Sequence, residues 1–147
     1  METLPFEIAE TAHALRRAFD RRATGLGVTR TQWKVMFRLD RCPGLKQVEL
    51  ADLLDIEPIT LCRIVDRLEE SGLVERRSDP SDRRAWQLFL TDAARPLKAK
   101  LDALGAQLIA EAFADIDPEL LDTVRGTLAQ VRENVVRMPA TPKASNQ

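Results

Sequence analysis

A mainly α-helical fold carrying a small β wing of two or three strands is the class this sequence predicts, on three observations. The stretch LVERRSDPSDRRAWQLFLT, Leu73 to Thr91, reads as two short strands joined by an Asp/Pro/Ser turn. Two short helical segments separated by a tight turn precede it, and apolar stripes at helical spacing occupy both ends of the chain. With 147 residues and 44% hydrophobic content, the chain is the size of one ordinary globular unit.

In chain order, Ile8, Ala12, Leu15 and Phe19 fall on one face of an amphipathic first helix that should end near Gly25 and Gly27. Thr29 followed by Gln32 is a capping box, so a second helix is expected from Arg30, carrying Trp33, Met36, Phe37 and Leu39 until Cys42, Pro43 and Gly44 stop it. Leu50, Ala51 and Leu54 imply a short third helix from about Lys46 to Leu54. Asp55, Ile56 and Glu57 form a tight turn into Pro58, a residue suited to the first position of a fourth helix. Gly72 should end that helix in a left-handed conformation.

Leu73, Val74 and Glu75 open the wing, and Trp86, Leu88 and Leu90 alternate with Gln87, Phe89 and Thr91 on its return. Asp79, Pro80, Ser81 and Asp82 supply the turn, and Arg76, Arg77, Arg83 and Arg84 flank it as a cationic finger suited to a phosphate backbone or narrow minor groove. Thr91 is expected to cap a long fifth helix with Leu97, Leu101, Leu104 and Leu108 on one face, and Pro96 would bend its start. Asp117 and Pro118 begin a sixth, whose seam is Leu121, Val124, Leu128, Val131, Val135 and Met138. The tail, residues 139–147, reads as disordered. Two helices, a tight turn and a wing make a winged helix-turn-helix over residues 29–91. A first helix within 1–28 and helices within 92–138 carry apolar stripes that such a domain cannot cover, so they are expected to interlock with a second copy as dimerisation helices.

Net charge is −1, which gives nucleic-acid binding no support by itself. Its distribution says more. From His13 to Lys46 nine Lys/Arg face two Asp, a net of +7, whereas from Glu57 to Arg84 six Arg face seven acids, a net of −1. A DNA reading of the second region therefore rests on geometry. Cys42 and Cys62 form no disulfide framework and lack metal-ligand spacing with His13, so no metal or cofactor is expected. No apolar run approaches the roughly 18 residues of a membrane span, and no leader pattern opens the chain; a cytoplasmic location is expected. No phosphate-binding Gly loop or nucleophile–base pairing suggests an enzyme.

At about 100° per residue, Leu61, Ile64, Val65 and Leu68 of the fourth helix face the core. Ile59, Arg63 and Asp66 lie opposite, flanked by Thr60 and Arg67. Ile59 could touch a thymine methyl and Arg63 is the candidate for bidentate guanine contact, unless Arg63 is only a solvated residue paired with Asp66 or Glu70. Arg84 is the sharpest wing candidate, with Asp82 placed either to brace the loop or to hold the guanidinium. Thr31, Lys46 and Gln47 suit phosphate contacts that set register.

These residues resemble the MarR family of bacterial regulators, and among its branches the SlyA-like members. The resemblance covers roughly Phe6 to Val136 and is carried by DPSDRRAWQLFLT at Asp79 to Thr91, LADLLDIEPITLCRIVDRLEESGLVERR at Leu50 to Arg77, and TRTQWKVMFRL at Thr29 to Leu39. It implies a homodimer with two winged domains on a pseudopalindromic operator in double-stranded DNA. By position, Pro58, Ile59, Thr60 and Arg63 would meet the major groove and Arg84 the minor groove. Ala94 departs from the Gly that many members carry, which together with Pro96 bears on the wing-to-helix junction.

Family members often respond to small phenolic or aromatic carboxylate ligands. His13 and Arg17 share a face of the first helix, and Trp33 and Phe37 one of the second, offering a cation for a carboxylate and rings for stacking to such an effector. The same rings would equally serve as core. Cys62 is expected to be packing filler rather than an oxidant sensor. The leading expectation is a dimeric repressor released by a small ligand; the rival is a winged-helix module for protein–protein contact without specific DNA binding.

Overall fold

The computed structural model describes residues 3–139. The tail expected to be disordered thus lies, apart from Pro139, outside the described residues. Helix α1 (Leu4–Ala23) has a proline and Glu7 in its first turn and Arg21 and Arg22 in its last, charges that complement the helix dipole. A 3-10 turn (Thr24–Leu26) follows, and Gly27 turns the chain with φ 72°. Helix α2 (Arg30–Arg41) starts on the predicted capping box: Gln32 N–H donates to the Thr29 hydroxyl, and Thr29 N–H to the Gln32 side chain at 3.0 Å.

Strand β1 (Leu45–Lys46) leads into α3 (Gln47–Leu54), one residue later than expected because Lys46 is extended. Asp55 makes the tight turn in a left-handed conformation, and α4 (Pro58–Glu70) has its proline in the first turn, where a missing N–H costs no helical bond. Gly72, φ 73°, ends it as predicted. The wing pairs β2 (Val74–Ser78) with β3 (Trp86–Leu90) in antiparallel register from Val74 opposite Leu90 to Ser78 opposite Trp86. Leu45 of β1 pairs with Leu88, giving a three-stranded sheet in the order β1-β3-β2. Gly44 enters this sheet with φ 83°, its N–H donating to the Leu88 carbonyl, and a Cβ there would stand 3.2 Å from Cζ of Phe89.

Thr91 precedes a 3-10 turn (Asp92–Ala94) rather than capping α5 (Arg95–Ala112) directly; its hydroxyl donates instead to the Gly72 carbonyl, tying the end of the wing to the end of α4. Pro96 falls in the first turn of α5, where it breaks no bond, and the helix continues unbroken past it. Ala94 is fully buried at the junction.

The described residues divide into two compact units, one up to Ile109 and one from Ala110 on. Two cores hold the first. Val35 and Leu39 of α2, Leu50, Ala51 and Leu54 of α3, Leu61, Val65 and Leu68 of α4, and Val74 and Leu88 of the sheet form one, fixing the helix-turn-helix to the root of the wing. Each of these valines and leucines contributes about 1.5–3 kcal/mol by burial. Phe19 and Ala23 of α1, Met36 of α2, and Ala94 and Leu101 of α5 form the other, edged by Trp33, Phe37, Leu97, Leu104 and Leu108. The second unit contains α6 (Pro118–Arg137), begun as predicted by Asp117, whose carboxylate accepts from Glu119 N–H at 2.9 Å. No residue of α6 is buried, and Leu120, Val124, Val131 and Val135 are exposed apolar residues.

Candidate nucleic-acid interface

Helix α4 presents the two faces expected of it. Leu61, Val65 and Leu68 are buried with Ile64 beside them, whereas Ile59 is 67% exposed and Thr60, Arg63 and Arg67 are open to solvent. Arg63 has no carboxylate partner among the described residues, so the alternative of an Asp66 or Glu70 pair is not what forms. Asp66 pairs with Arg76 instead, Oδ1 to Nη2 at 2.7 Å.

The four wing arginines separate into three kinds. Arg76 and Arg77 lie on β2 itself, not beyond it, because the strand runs through Ser78. Alternation then sends their side chains to opposite faces. Arg76 turns onto α4 and α3: Nη1 donates to Glu69, Nη2 to Asp66 and the Cys62 carbonyl, and Nε to Gln47. Burial works against its charge, but pairing with Asp66 and Glu69 outweighs this and pushes its pKa above the ordinary value. Arg77 pairs with Glu75 and lies over the Phe89 ring, 4.2 Å from its centroid. Arg83 and Arg84 are exposed in the loop between β2 and β3, without carboxylate partners among the described residues.

That loop is braced from inside. Arg84 N–H donates to Asp82 Oδ1 at 3.0 Å, so of the two roles open to Asp82 the first is the one taken: it fixes the backbone, not the guanidinium. Asp79, which the sequence suggested only as a turn residue, is 5% exposed and anchors the loop. Its Oδ1 accepts from both the N–H and the hydroxyl of Ser81, at 2.8 and 2.7 Å, and Oδ2 faces Lys46 Nζ at 3.5 Å. The Ser81 bonds first, and then Lys46, hold its carboxyl below the usual range. An Asp two residues ahead of a Ser was the available signal. Lys46 and Gln47 thus lie at the root of the wing, engaged with Asp79 and Arg76, and Thr31 is half-buried in the first turn of α2.

The proposed effector residues do not form one set. His13 and Arg17 are exposed on α1, whereas Trp33 and Phe37 pack edge-to-face with Phe19 at centroid distances of 4.7 and 5.9 Å. Trp33 and Phe37 also line an open cavity of about 270 Å³ with Lys34, Arg38, Arg41 and Leu54, which neither His13 nor Arg17 reaches. A larger one, about 490 Å³, lies between α2, β3 and α5, where buried Lys98 pairs with Asp40 and Asp102 and lies 4.5 Å from the Phe37 ring centroid. Among the described residues no helix is long and apolar enough to cross a membrane, and no group of three His, Cys, Asp or Glu could hold a metal.

A family model described as the MarR family matches residues 28–86, the segment from the start of α2 to the return strand of the wing. Among solved structures, the transcriptional regulator PA3341 is 32% identical over 91% of this chain and 98% of that chain, with a TM-score of 0.82. The chain belongs to the MarR family. Wild-type MarR from E. coli, in its apo form, is 26% identical over 87% of this chain and 96% of that one, TM-score 0.76. The transcriptional regulator SlyA, at 23% identity over 90% and 93% and a TM-score of 0.75, shares the fold. As a MarR-family protein the chain is a DNA-binding transcriptional regulator, not an enzyme, and the family binds operators as dimers.

Proposed function

We propose that this MarR-family regulator is a cytoplasmic repressor that binds a pseudopalindromic operator as a homodimer and is released by a small aromatic carboxylate or phenolic ligand. The observation that carries the DNA half is the pairing of an open Ile59/Arg63 face on α4 with a braced loop that leaves Arg83 and Arg84 free. In this reading Pro58, Ile59, Thr60 and Arg63 meet base edges in the major groove, Arg84 enters the minor groove, and Arg67, Arg77, Arg83, Lys46 and Thr31 meet phosphates. Gln47 and Asp82 act by holding neighbours. The exposed apolar residues of α1 and α6, among them Phe6, Val124, Val131 and Val135, support residues 1–28 and 92–138 as dimerisation segments around the reading domain at 29–91. Within the family we place it with the SlyA-like members, on the resemblance of Thr29 to Leu39, Leu50 to Arg77 and Asp79 to Thr91 taken together.

For the effector, Trp33 and Phe37 offer rings beside the cations Lys34, Arg38 and Arg41, with His13 and Arg17 on α1 outside that cavity as further candidate contacts. Binding must favour a state in which the two reading helices no longer match the operator. Arg63→Ala and Arg84→Ala should each weaken binding to a duplex enriched from a random pool by the wild-type protein. Salicylate should then release wild-type protein from that duplex in a gel shift. Retention of wild-type affinity by both variants would favour a protein–protein module, and indifference to salicylate and related phenols would remove the effector.

A further inference from the structure

The stretch from Glu57 to Arg84 carries more acids than arginines, and of the three on α4, the proposed major-groove helix, Asp66 and Glu69 lie within reach of a single cation. Bare carboxylates so near a phosphate backbone would repel it. Both are taken up by one residue. Arg76 Nη2 lies 2.7 Å from Asp66 Oδ1 and Nη1 3.1 Å from Glu69 Oε1, and the Arg76 backbone N–H donates to the second Glu69 oxygen at 3.1 Å. The rest of the guanidinium is committed to the Gln47 side chain and the Cys62 carbonyl, and the Arg76 side chain is 13% exposed while Asp66 and Glu69 are 51% and 44% exposed. The cation is inside and its two anions are outside, towards solvent.

We infer that Arg76 is a positioning residue for DNA binding that acts by masking Asp66 and Glu69 on the flank of the reading helix, and not by touching phosphate itself. With four of its five N–H donors engaged and its side chain 13% exposed, this guanidinium cannot turn to a phosphate without stranding two carboxylates beside it. Its planar fork suits this role, because one group spans α3, α4 and β2, which a lysine ammonium with a single point of charge does not. Asp66 and Glu69 are thereby neutralised within the fold's own network, while Glu57 and Glu70 stay exposed and Arg63, Arg67, Arg83 and Arg84 supply the outward positive charge. The inference rests on α4 being the reading helix.

The test uses the full-length protein and a duplex enriched from a random pool by the wild type. Circular dichroism melts establish that each variant is folded. Arg76→Gln should weaken binding on the order of tenfold. Adding Asp66→Asn and Glu69→Gln to Arg76→Gln should return most of that loss, because the stranded acids are gone. A direct phosphate contact predicts the reverse: the triple variant stays as weak as Arg76→Gln, and its salt dependence is shallower than wild type by about 0.9 per protomer. That outcome overturns the inference, as does an Arg76→Gln variant that binds like wild type. Arg76→Lys keeps a cation between the two acids and should bind more tightly than Arg76→Gln. If Arg76→Gln does not fold, Arg76→Lys and the triple variant carry the comparison: a triple variant much weaker than Arg76→Lys overturns the inference. Failure of the wild type to enrich any duplex would overturn the reading of α4, and this inference with it.

Discussion

The indole N–H of Trp33 donates to Oδ1 of Asp20 at 2.8 Å, and Oδ2 of the same carboxylate accepts from Arg30 Nε at 2.6 Å. Helix α1 is thereby tied to the first turn of α2, where the reading domain begins. Trp33→Phe keeps a ring against Phe19 but deletes this bond. It should cost about 1.5–3 kcal/mol of stability, the usual range for a hydrogen bond to a charged group, as measured by urea unfolding.

Asp20 also gives the fold an acid limit. Burial raises its pKa, but the bonds from Arg30 and Trp33 and the nearby charges outweigh this, so the folded value lies below the ordinary one. A depressed carboxylate contributes stability that is present above the unfolded pKa and lost as pH falls through the folded one. Thermal melts should therefore weaken below about pH 4. Asp20→Asn should be less stable at neutral pH and show a flatter acid limb; an unchanged limb would assign the effect elsewhere.

At the other end of the scale, Lys98 bridges Asp40 of α2 and Asp102 of α5, with Nζ 3.1 and 2.7 Å from their oxygens. Burial lowers its pKa, and the two carboxylates more than compensate, leaving it raised. Stability from a raised lysine is complete below its unfolded value and disappears as pH rises through the folded one, beyond about pH 10. Lys98→Met should cost about 1–2 kcal/mol at pH 7, moderated because both carboxylates are half-exposed, and should flatten the alkaline limb of the melting curve.

Wing residues should separate by salt dependence. Arg84→Ala is expected to lower operator affinity and to reduce the slope of log affinity against log salt by about 0.9 per protomer. Asp82→Ala leaves Arg84 in place but frees its backbone, so affinity should fall with the slope retained. Equal slopes for the two variants would remove Arg84 from the minor groove.

Val131→Asp combined with Val135→Asp places charges on the exposed apolar residues of α6. The expected result is a monomer in sedimentation at micromolar concentration, with operator affinity lost because half-sites are no longer paired. A dimer of unchanged strength would move the interface off α6.

Much of this was legible in the residues because the signals were local. Thr29 with Gln32, Asp55 before Pro58, Gly72, and Asp117 before Pro118 each dictate a helix end through their own backbone chemistry, and each end falls where those residues placed it. The outward face of α4 followed from helical period alone. What periodicity does not carry is partnership across the fold. Arg76 and Arg83 look alike in a sequence, yet one turns onto α4 and the other projects from the loop, and only the strand's length decides which. The Asp66 pairing, the Lys46–Asp79 link and the detour of the Thr91 hydroxyl to Gly72 all join residues distant in the chain. The aromatic residues were ambiguous for the same reason: Trp33 and Phe37 serve the Phe19 core on one side and line an open cavity on another.

Gly44 and Phe89 divide the hairpin into parts with different freedom to change. A methyl group at position 44 would press on the Phe89 ring, and the left-handed backbone there penalises any side chain, whereas Pro80, Ser81, Arg83 and Arg84 face open solvent. Retargeting this regulator to new promoters by transplanting loop tips from relatives should therefore succeed when the graft stays within residues 80–85 and keeps Ser81 and Asp82, whose bonds brace the loop, and grafts that reach back to the seam between Gly44 and Phe89 should sacrifice folding along with selectivity.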